Sequence, residues 1–227
     1  MTYNPKQTFI NIRFSQVSSL IFIAFSVFLL ASCESTTIEP QAPVDYLGIK
    51  SGQDRMYIMD SVKYSAFSGT KDSVRLYFRE VVKDVTTDSN GETTFTIDKF
   101  VSNDTTKGWT YDSYYFYKKS DINVRLVRGN QIYSQLIFPI LKSKKWNVNA
   151  FNALDPEYAS YTQLGMVYQN YTDCIEVTIN NEINFIEEII NKRVYANDVG
   201  LVYQVDKSVR LVNNKPNGYA IYIQFVR

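Results

Sequence analysis

The sequence predicts a mainly β protein with a single antiparallel meander domain, either a sandwich or a curved half-barrel. Tyrosine (18) and phenylalanine (14) are abundant, while glycine (9) and proline (6) are few. Aromatic and β-branched side chains suit the pleated, half-buried surface of a sheet. Segments with alternating apolar residues also follow one another at short spacing, with turn signals between them. That pattern is typical of antiparallel sandwiches and open barrels.

Several segments have the alternation or the aromatic content of a strand. They cover residues 55–67, 73–83, 93–101, 110–118, 122–128, 131–138, 165–180, 199–212 and 218–226. Turn signals occur at Asn90-Gly91, at Gly129-Asn130 and within 213–218, and Asn-Gly is the strongest short hairpin signal. Residues 146–164 are the least patterned, and we expect a loop with short pieces of structure there.

The segment 182–196 fits two different structures. Ile183, Ile186, Ile190 and Val194 recur at spacings of three and four, as on one face of a helix. The neighbouring strands instead favour a continued meander. The sequence therefore leaves both a short helix and a strand open for this segment.

The amino terminus has the parts of a secretory signal peptide. Lys6 and Arg13 precede an apolar run over residues 20–31, and no acidic residue occurs before Glu34. The run is shorter than the ~20 residues that a membrane-spanning helix needs. We expect a signal peptide over residues 1–32, a flexible polar tether over 33–44 and a single β-rich domain over 45–227.

Two short segments carry a resemblance to known proteins. Leu30-Ala31-Ser32-Cys33 resembles the lipobox of bacterial lipoproteins, which implies cleavage before Cys33, attachment of palmitate-type acyl chains to it, and a lipid-anchored place in the cell envelope, at the outer membrane. Tyr195-Ala196-x-x-Val199-Gly200-Leu201-Val202 is similar to a segment of exported Bacteroidota lipoproteins of unknown function. No functional residue carries over from this second resemblance. At Gly200 we expect a bulge or a close backbone approach between two strands.

Composition argues against several classes of function. Without Lys6 and Arg13 the 24 basic residues become 22, against 23 acidic ones, so the mature charge is about −1 and gives no electrostatic argument for nucleic-acid binding. The chain has no histidine, which rules out catalytic triads that use one. Besides Cys33 it has only Cys174, so neither a disulfide nor a zinc site is expected. Asp84, Asp88, Asn90 and Glu92 lack the spacing of a calcium loop. We predict no enzyme, no catalytic residue, no metal and no cofactor.

Apolar residues on both faces of the predicted strands raise the question of a binding site. The clearest core row is Tyr219, Ile221, Ile223 and Phe225. The candidate ligand-binding residues lie opposite such rows: Tyr77, Tyr133, Ile137 and Tyr222. A second apolar face is either covered by other parts of the chain or marks a site. We expect an apolar ligand or an acyl chain there. The alternative is an accessory interaction subunit of an outer-membrane protein assembly.

Overall fold

A computed structural model describes residues 44–226 of the chain. The predicted signal peptide, the lipobox and Cys33 lie outside the described residues, as does the predicted tether except for Val44. The described residues belong to one compact unit. They form strands joined by turns and loops, and this part of the chain contains no helix.

Twelve strands follow one another in the described part of the chain. They are β1 Asp54–Ser65, β2 Thr70–Thr87, β3 Thr93–Ser102, β4 Thr110–Lys119, β5 Asn123–Arg128, β6 Gln131–Ile137, β7 Lys145–Asn147, β8 Tyr158–Tyr168, β9 Tyr171–Ile183, β10 Glu187–Ala196, β11 Gly200–Val212 and β12 Lys215–Phe225. All of them belong to one antiparallel sheet with the order β6-β5-β4-β3-β2-β1-β12-β11-β10-β9-β8-β7. The predicted mainly β meander is confirmed.

The sheet curves until its two edge strands meet. The backbone N–H of Ser134, on β6, donates a hydrogen bond to the carbonyl of Val148 just after β7, at 2.8 Å. The indole Nε1 of Trp146 donates to the carbonyl of Ser134 at 3.0 Å. The result is a single, nearly closed, barrel-like sheet rather than two sheets packed as a sandwich.

Because neighbouring strands are antiparallel, successive turns alternate between the two ends of the sheet. The turns at 88–92, 120–122, 169–170 and 197–199 lie at one end, together with residues 44–53. We call this the plugged end. The turns at 66–69, 103–109, 129–130, 184–186 and 213–214 lie at the opposite end, which we call the hairpin end.

The main apolar core fills the interior near the plugged end. Val124, Leu136, Tyr161 and Val177 are 0% exposed there. The hydroxyl of Tyr161 donates to the carbonyl of Ile137 at 2.8 Å and accepts from its N–H at 2.9 Å. This buried polar atom is therefore fully paired, as burial requires.

Residues 45–49 close the plugged end. Tyr46, Leu47 and Ile49 are buried members of the main core, and Val44 packs against it. Asp45 Oδ1 holds the segment by accepting hydrogen bonds from the N–H groups of Leu47 and Gly48 and from Lys119 Nζ, at 3.1, 3.2 and 2.9 Å. Side-chain acceptance of backbone N–H groups is a typical way to fix such a turn.

Gly200 allows the plug to touch the sheet. Its φ is +92°, and a Cβ at this position would collide with the carbonyl oxygen of Leu47. The β10–β11 ladder also shifts register between Val194 and Tyr195. Gly200 thus permits a close backbone approach, but its neighbour is the plug segment and not the second strand that the sequence predicts.

The helix alternative for 182–196 is wrong. The segment comprises the end of β9, an exposed turn at 184–186 and the strand β10. Ile183 ends β9, Ile186 lies in the turn, and each is 66% exposed. Ile190 and Val194 share one face of β10, because residues four apart in a strand lie on the same side. The helical spacing thus joined residues of a turn to residues of a strand.

The prediction for residues 146–180 was also partly wrong. The expected loop contains part of β7 and most of β8, and the expected strand over 165–180 is divided between β8 and β9. The β8–β9 ladder shifts register at three places, which removes regular alternation from the sequence. Gln169 turns the chain with a φ of +52°. No glycine or proline marks that turn.

The final hairpin forms as expected, but its turn is tighter and its apolar row is not a core row. Asn213 and Asn214 make the turn with φ values of +51° and +61°, a conformation that asparagine tolerates. Ile221 and Ile223 face the interior of the sheet but are only half-buried. They are half-buried because they border a cavity.

Candidate functional site: a cavity inside the sheet

The interior of the sheet holds a cavity of about 620 Å³. Its lining side chains are Met59, Phe78, Glu80, Lys99, Tyr115, Tyr117, Leu126, Arg128, Tyr133, Gln135, Arg193, Tyr195, Leu201, Gln204, Asp206, Ile221 and Ile223. They extend from the main core toward the hairpin end. Small-molecule sites span roughly 300–1,000 Å³, so this volume suits a small ligand.

One wall of the cavity is apolar. Met59 on β1 pairs with Ile223 on β12, and Ile221 lies two residues along the same face. Phe78 continues this wall on β2, where its ring stacks on that of Tyr57 at 4.7 Å. β1 and β12 join the first and last parts of the chain in the middle of the sheet, so the apolar wall follows the β1–β12 ladder.

The opposite wall is polar. Arg193 and Tyr195 are two residues apart on β10, so both lie on its inner face. Arg193 Nη1 donates to Gln135 Oε1 at 2.6 Å, and the hydroxyl of Tyr195 donates to the same oxygen at 3.4 Å. Gln135 is only 7% exposed. We call these three residues the Arg193 cluster.

A carboxylate lies beside the cavity floor. Glu80 is buried and accepts a hydrogen bond from the hydroxyl of Tyr115. In the ladders it is opposite Arg55 on one side and Lys99 on the other. Lys99 Nζ lies 5.0 Å from the ring centre of Phe78 and 3.5 Å from Asp112 Oδ2. Glu80 thus has Tyr115 as its hydrogen-bond donor and two basic residues opposite it in the ladders.

Arg55 is a buried cation just beneath the cavity. It is 3% exposed, and its guanidinium carbon lies 5.4 Å from the ring of Tyr57 and 5.7 Å from that of Phe225. Its Nε and Nη2 have no hydrogen-bond partner among residues 44–226. Burying donors without a hydrogen-bond partner costs free energy. The guanidinium of Arg55 also places a positive charge beneath the cavity.

The tyrosines around the cavity are held in their neutral form. Burial raises the pKa of Tyr115 and Tyr117, and the negative charge of Glu80 raises both further. Burial also raises the pKa of Tyr57 and Tyr195. Their hydroxyl groups consequently act as hydrogen-bond donors at physiological pH.

The four candidate ligand-binding residues from the sequence analysis do not lie together in the structure. Tyr133 lines the cavity, and Ile137 packs against the main core. Tyr77 precedes the inward-facing Phe78, and Tyr222 lies between the inward-facing Ile221 and Ile223. Alternation therefore places Tyr77 and Tyr222 on the outer face of the sheet.

Sequence reasoning missed the charged members of the cavity. Glu80 stands between Phe78 and Val82 on the inner face of β2, and Lys99 follows Phe95 and Ile97 on the inner face of β3. A charge inside an otherwise apolar alternating row was the signal that could have found them. Such a residue is either paired inside the protein or faces an internal cavity.

The remaining chemistry-bearing residues lie elsewhere. Cys174 is buried in a small second cluster with Val194, Ala196 and Val202, on the opposite face of the sheet from the main core. Burial raises the pKa of its thiol. In the 88–92 turn Asp88 Oδ1 accepts from the N–H groups of Asn90 and Glu92, both at 2.9 Å. Residues 44–226 contain no group of three or more potential metal ligands.

A second surface feature is the cluster of apolar tips at the hairpin end. Phe67 and Phe185 are completely exposed in their turns. The β11–β12 turn lies between these two hairpins in the sheet, and the N–H of Leu211 donates to the carbonyl of Ile186 at 2.7 Å. We call Phe67, Ile183, Phe185, Ile186, Leu211 and Val212 the apolar tips.

Within residues 44–226 no helix has the length and apolar character needed to cross a membrane. Comparisons with known proteins add no family to this description. The chain matches no protein-family model, no curated protein and no solved structure.

Proposed function

We propose that this protein is a lipid-anchored, non-enzymatic β-domain of the cell envelope that binds an apolar small molecule or an acyl chain inside its barrel-like sheet. The observation that carries the proposal is the cavity of about 620 Å³ with an apolar wall of Met59, Ile221 and Ile223. These apolar side chains are only half-buried in the free protein. A ligand that covers them removes apolar surface from water, and this burial stabilises the complex.

A binding role fits the chemistry of the site better than a catalytic one. The chain contains no histidine, the residue most often used as a general base. Glu80 accepts a hydrogen bond from Tyr115 and lies beside Lys99, so its carboxylate already has partners within the protein. The thiol of Cys174 belongs to the second cluster and does not line the cavity.

The proposal is tested by filling the cavity. In Ile221→Trp the larger side chain should occupy the space of the ligand, whereas Tyr222→Trp changes the adjacent residue on the outer face. We expect native mass spectrometry of the full-length protein to detect a co-purified small molecule in the wild type and in Tyr222→Trp, and to find it depleted in Ile221→Trp. Loss in Tyr222→Trp alone would place binding on the outer face and overturn the proposal.

Lipid anchoring is tested at the lipobox. Three acyl chains, at ~0.8 kcal/mol per buried methylene, would hold the protein at the membrane permanently. Changing Cys33→Ser should move the protein from the detergent phase to the aqueous phase in a phase-separation experiment. Cys174→Ser is the matched control and should not change the partition. Unchanged partition of Cys33→Ser would reject anchoring through this residue.

The second candidate function is that of an accessory subunit in an outer-membrane protein assembly. The apolar tips favour it, because large apolar side chains exposed together at one end of a domain commonly mark interaction surfaces. The double change Phe67→Ser and Phe185→Ser should then abolish a larger complex on native gels of solubilised membranes. The same variant should keep its co-purified small molecule. A wild-type protein that migrates as the free chain would count against this candidate.

A further inference from the structure

We propose that the ligand carries one anionic headgroup, a carboxylate or a phosphate monoester, which binds to the Arg193 cluster while its apolar tail lies against Ile223 and Ile221. This inference rests on the proposed function and adds to it the chemical class and the orientation of the ligand. It is carried by the arginines that face the interior and by their missing partners.

Interior and surface arginines are paired differently. On the surface, Arg75 and Arg79 bind Asp60 and Asp54, at 2.7 and 2.6 Å. Among residues 44–226, Arg55, Arg128 and Arg193 have no carboxylate within 4.0 Å, although Arg128 and Arg193 line the cavity and Arg55 lies beneath it. These three arginines thus form no direct ion pair with a carboxylate of the described residues.

The hydrogen bonds of Arg193 show where an anion would bind. Its Nη1 is bonded to Gln135, but its Nε is buried and has no partner among the described residues. Gln135 Oε1 already receives two donors, Arg193 Nη1 and the hydroxyl of Tyr195. Arg193 also lines the cavity, so a carboxylate or phosphate oxygen beside this amide would lie against its guanidinium, whose planar fork suits such a pair of acceptors.

The two carboxylates of the cavity do not take this role. Glu80 accepts the hydroxyl of Tyr115 and has Lys99 and Arg55 as ladder neighbours. Asp206 accepts the hydroxyl of Tyr219 at 3.3 Å, nearer the hairpin end. Lys99 is balanced by Asp112. Arg193 is therefore the basic group at the deep part of the cavity that remains available to a ligand.

The ladders set the direction of the tail. Arg193 pairs with Gln204, Gln204 pairs with Ile223, and Ile223 pairs with Met59, so these residues lie at one level across four strands. Tyr195 and Leu201 lie below this level, toward the core, and Ile221 lies above it, toward the hairpin end. A headgroup at Arg193 consequently enters first, with the tail along Ile223 and Ile221.

The test compares probes that share one chain and differ in headgroup. Dodecanoate, dodecyl phosphate, dodecan-1-ol and dodecyltrimethylammonium are titrated into full-length protein held in nanodiscs, with empty nanodiscs as the blank. We expect dodecanoate or dodecyl phosphate to bind at least about tenfold more tightly than dodecan-1-ol, since hydrogen bonds to charged groups are the strong ones. Which of the two anions binds better identifies the headgroup.

Variants of single arginines test whether the preference for anionic probes depends on Arg193. Arg193→Gln should weaken the anionic probes about tenfold and leave dodecan-1-ol unchanged, while Arg79→Gln on the surface should change neither. Bound [1-¹³C]dodecanoate should stay ionised below its usual pKa in the wild type and lose that shift in Arg193→Gln. If Arg193→Gln binds no probe at all, Arg193→Lys, which keeps the charge, should retain the preference for anions.

The outcomes separate the two proposals. If the wild type binds dodecan-1-ol as tightly as dodecanoate and dodecyl phosphate, or prefers dodecyltrimethylammonium, the anionic headgroup is wrong and the cavity function stands. If no probe binds the wild type above the empty nanodisc, the cavity function fails and this inference fails with it.

Discussion

The plugged end and the cavity are built from the same strands but in opposite ways. At the plugged end Val82 on β2 and Ile97 on β3 are at most 2% exposed, and Asp45 ties the entering chain to the sheet through Lys119. Two residues closer to the hairpin end, the inner faces of the same two strands carry Glu80 and Lys99 beside the cavity. Close packing supplies stability, and buried charges with incomplete partners cost it. The difference teaches that this sheet is close-packed at one end and encloses a cavity with charged lining along the rest of its interior.

The largest expected effect comes from cutting the junction of the sheet. A chain that stops at Gly218 lacks most of β12, which pairs with β1 on one side and β11 on the other. Its loss opens the sheet and exposes two unpaired strand edges, which favour aggregation. We expect this truncation to be insoluble or rapidly degraded. A soluble product that unfolds cooperatively would show that the plugged end is stable without the β1–β12 ladder.

Alkaline pH should also lower the stability of the folded state strongly. Burial raises the pKa of Tyr57, Tyr115, Tyr117, Tyr161 and Tyr195. Unfolded tyrosine ionises near pH ~10, so above this pH the unfolded chain releases protons that the folded chain keeps. Stability is therefore full below pH ~10 and falls above it, by about 1.4 kcal/mol per pH unit for each such tyrosine. Tyrosinate absorbance and far-ultraviolet circular dichroism should change together; ionisation that precedes unfolding would contradict the burial of these rings.

Much of this architecture could be predicted from local patterns, and the part that could not depends on contacts distant in sequence. Alternation and the Asn-Gly turn revealed the meander, because strand faces and hairpin turns depend on neighbouring residues. The cavity is different: Gln135 and Arg193 meet only because the sheet curves until β6 faces β10. Tyr133 was selected as an apolar residue opposite a core row, yet in the curved sheet it faces inward beside charged groups. Curvature and the register shift in the β5–β6 ladder, which leaves Gln135 without a ladder partner, decide that, and neither leaves a periodic trace.

A core deletion at the plugged end should cost a large part of the stability. Leu136 is 0% exposed and packs within the main core. Leu136→Ala removes apolar contacts and leaves a void that the surrounding strands cannot fill, which typically costs 2–5 kcal/mol. We expect a matching decrease in the free energy of unfolding measured in urea, with an unchanged dependence on urea concentration. A loss below about 1 kcal/mol would show that the plugged end is not the close-packed half of the molecule.

The smallest expected effect on stability comes from the same kind of deletion in the cavity wall. Ile223 is half-buried and already borders empty space, so Ile223→Ala creates no closed void and removes only part of a buried side chain. Fully burying an isoleucine contributes ~1.5–3 kcal/mol, and we therefore expect a loss of about 1 kcal/mol or less in the urea experiment. Ligand retention should respond in the opposite order: Ile223→Ala should lose the co-purified molecule detected by native mass spectrometry, and Leu136→Ala should keep it wherever it remains folded. If Ile223→Ala destabilised the protein as much as Leu136→Ala, the inner face of β12 would be part of the core, and the division between a packed end and a binding interior would be lost.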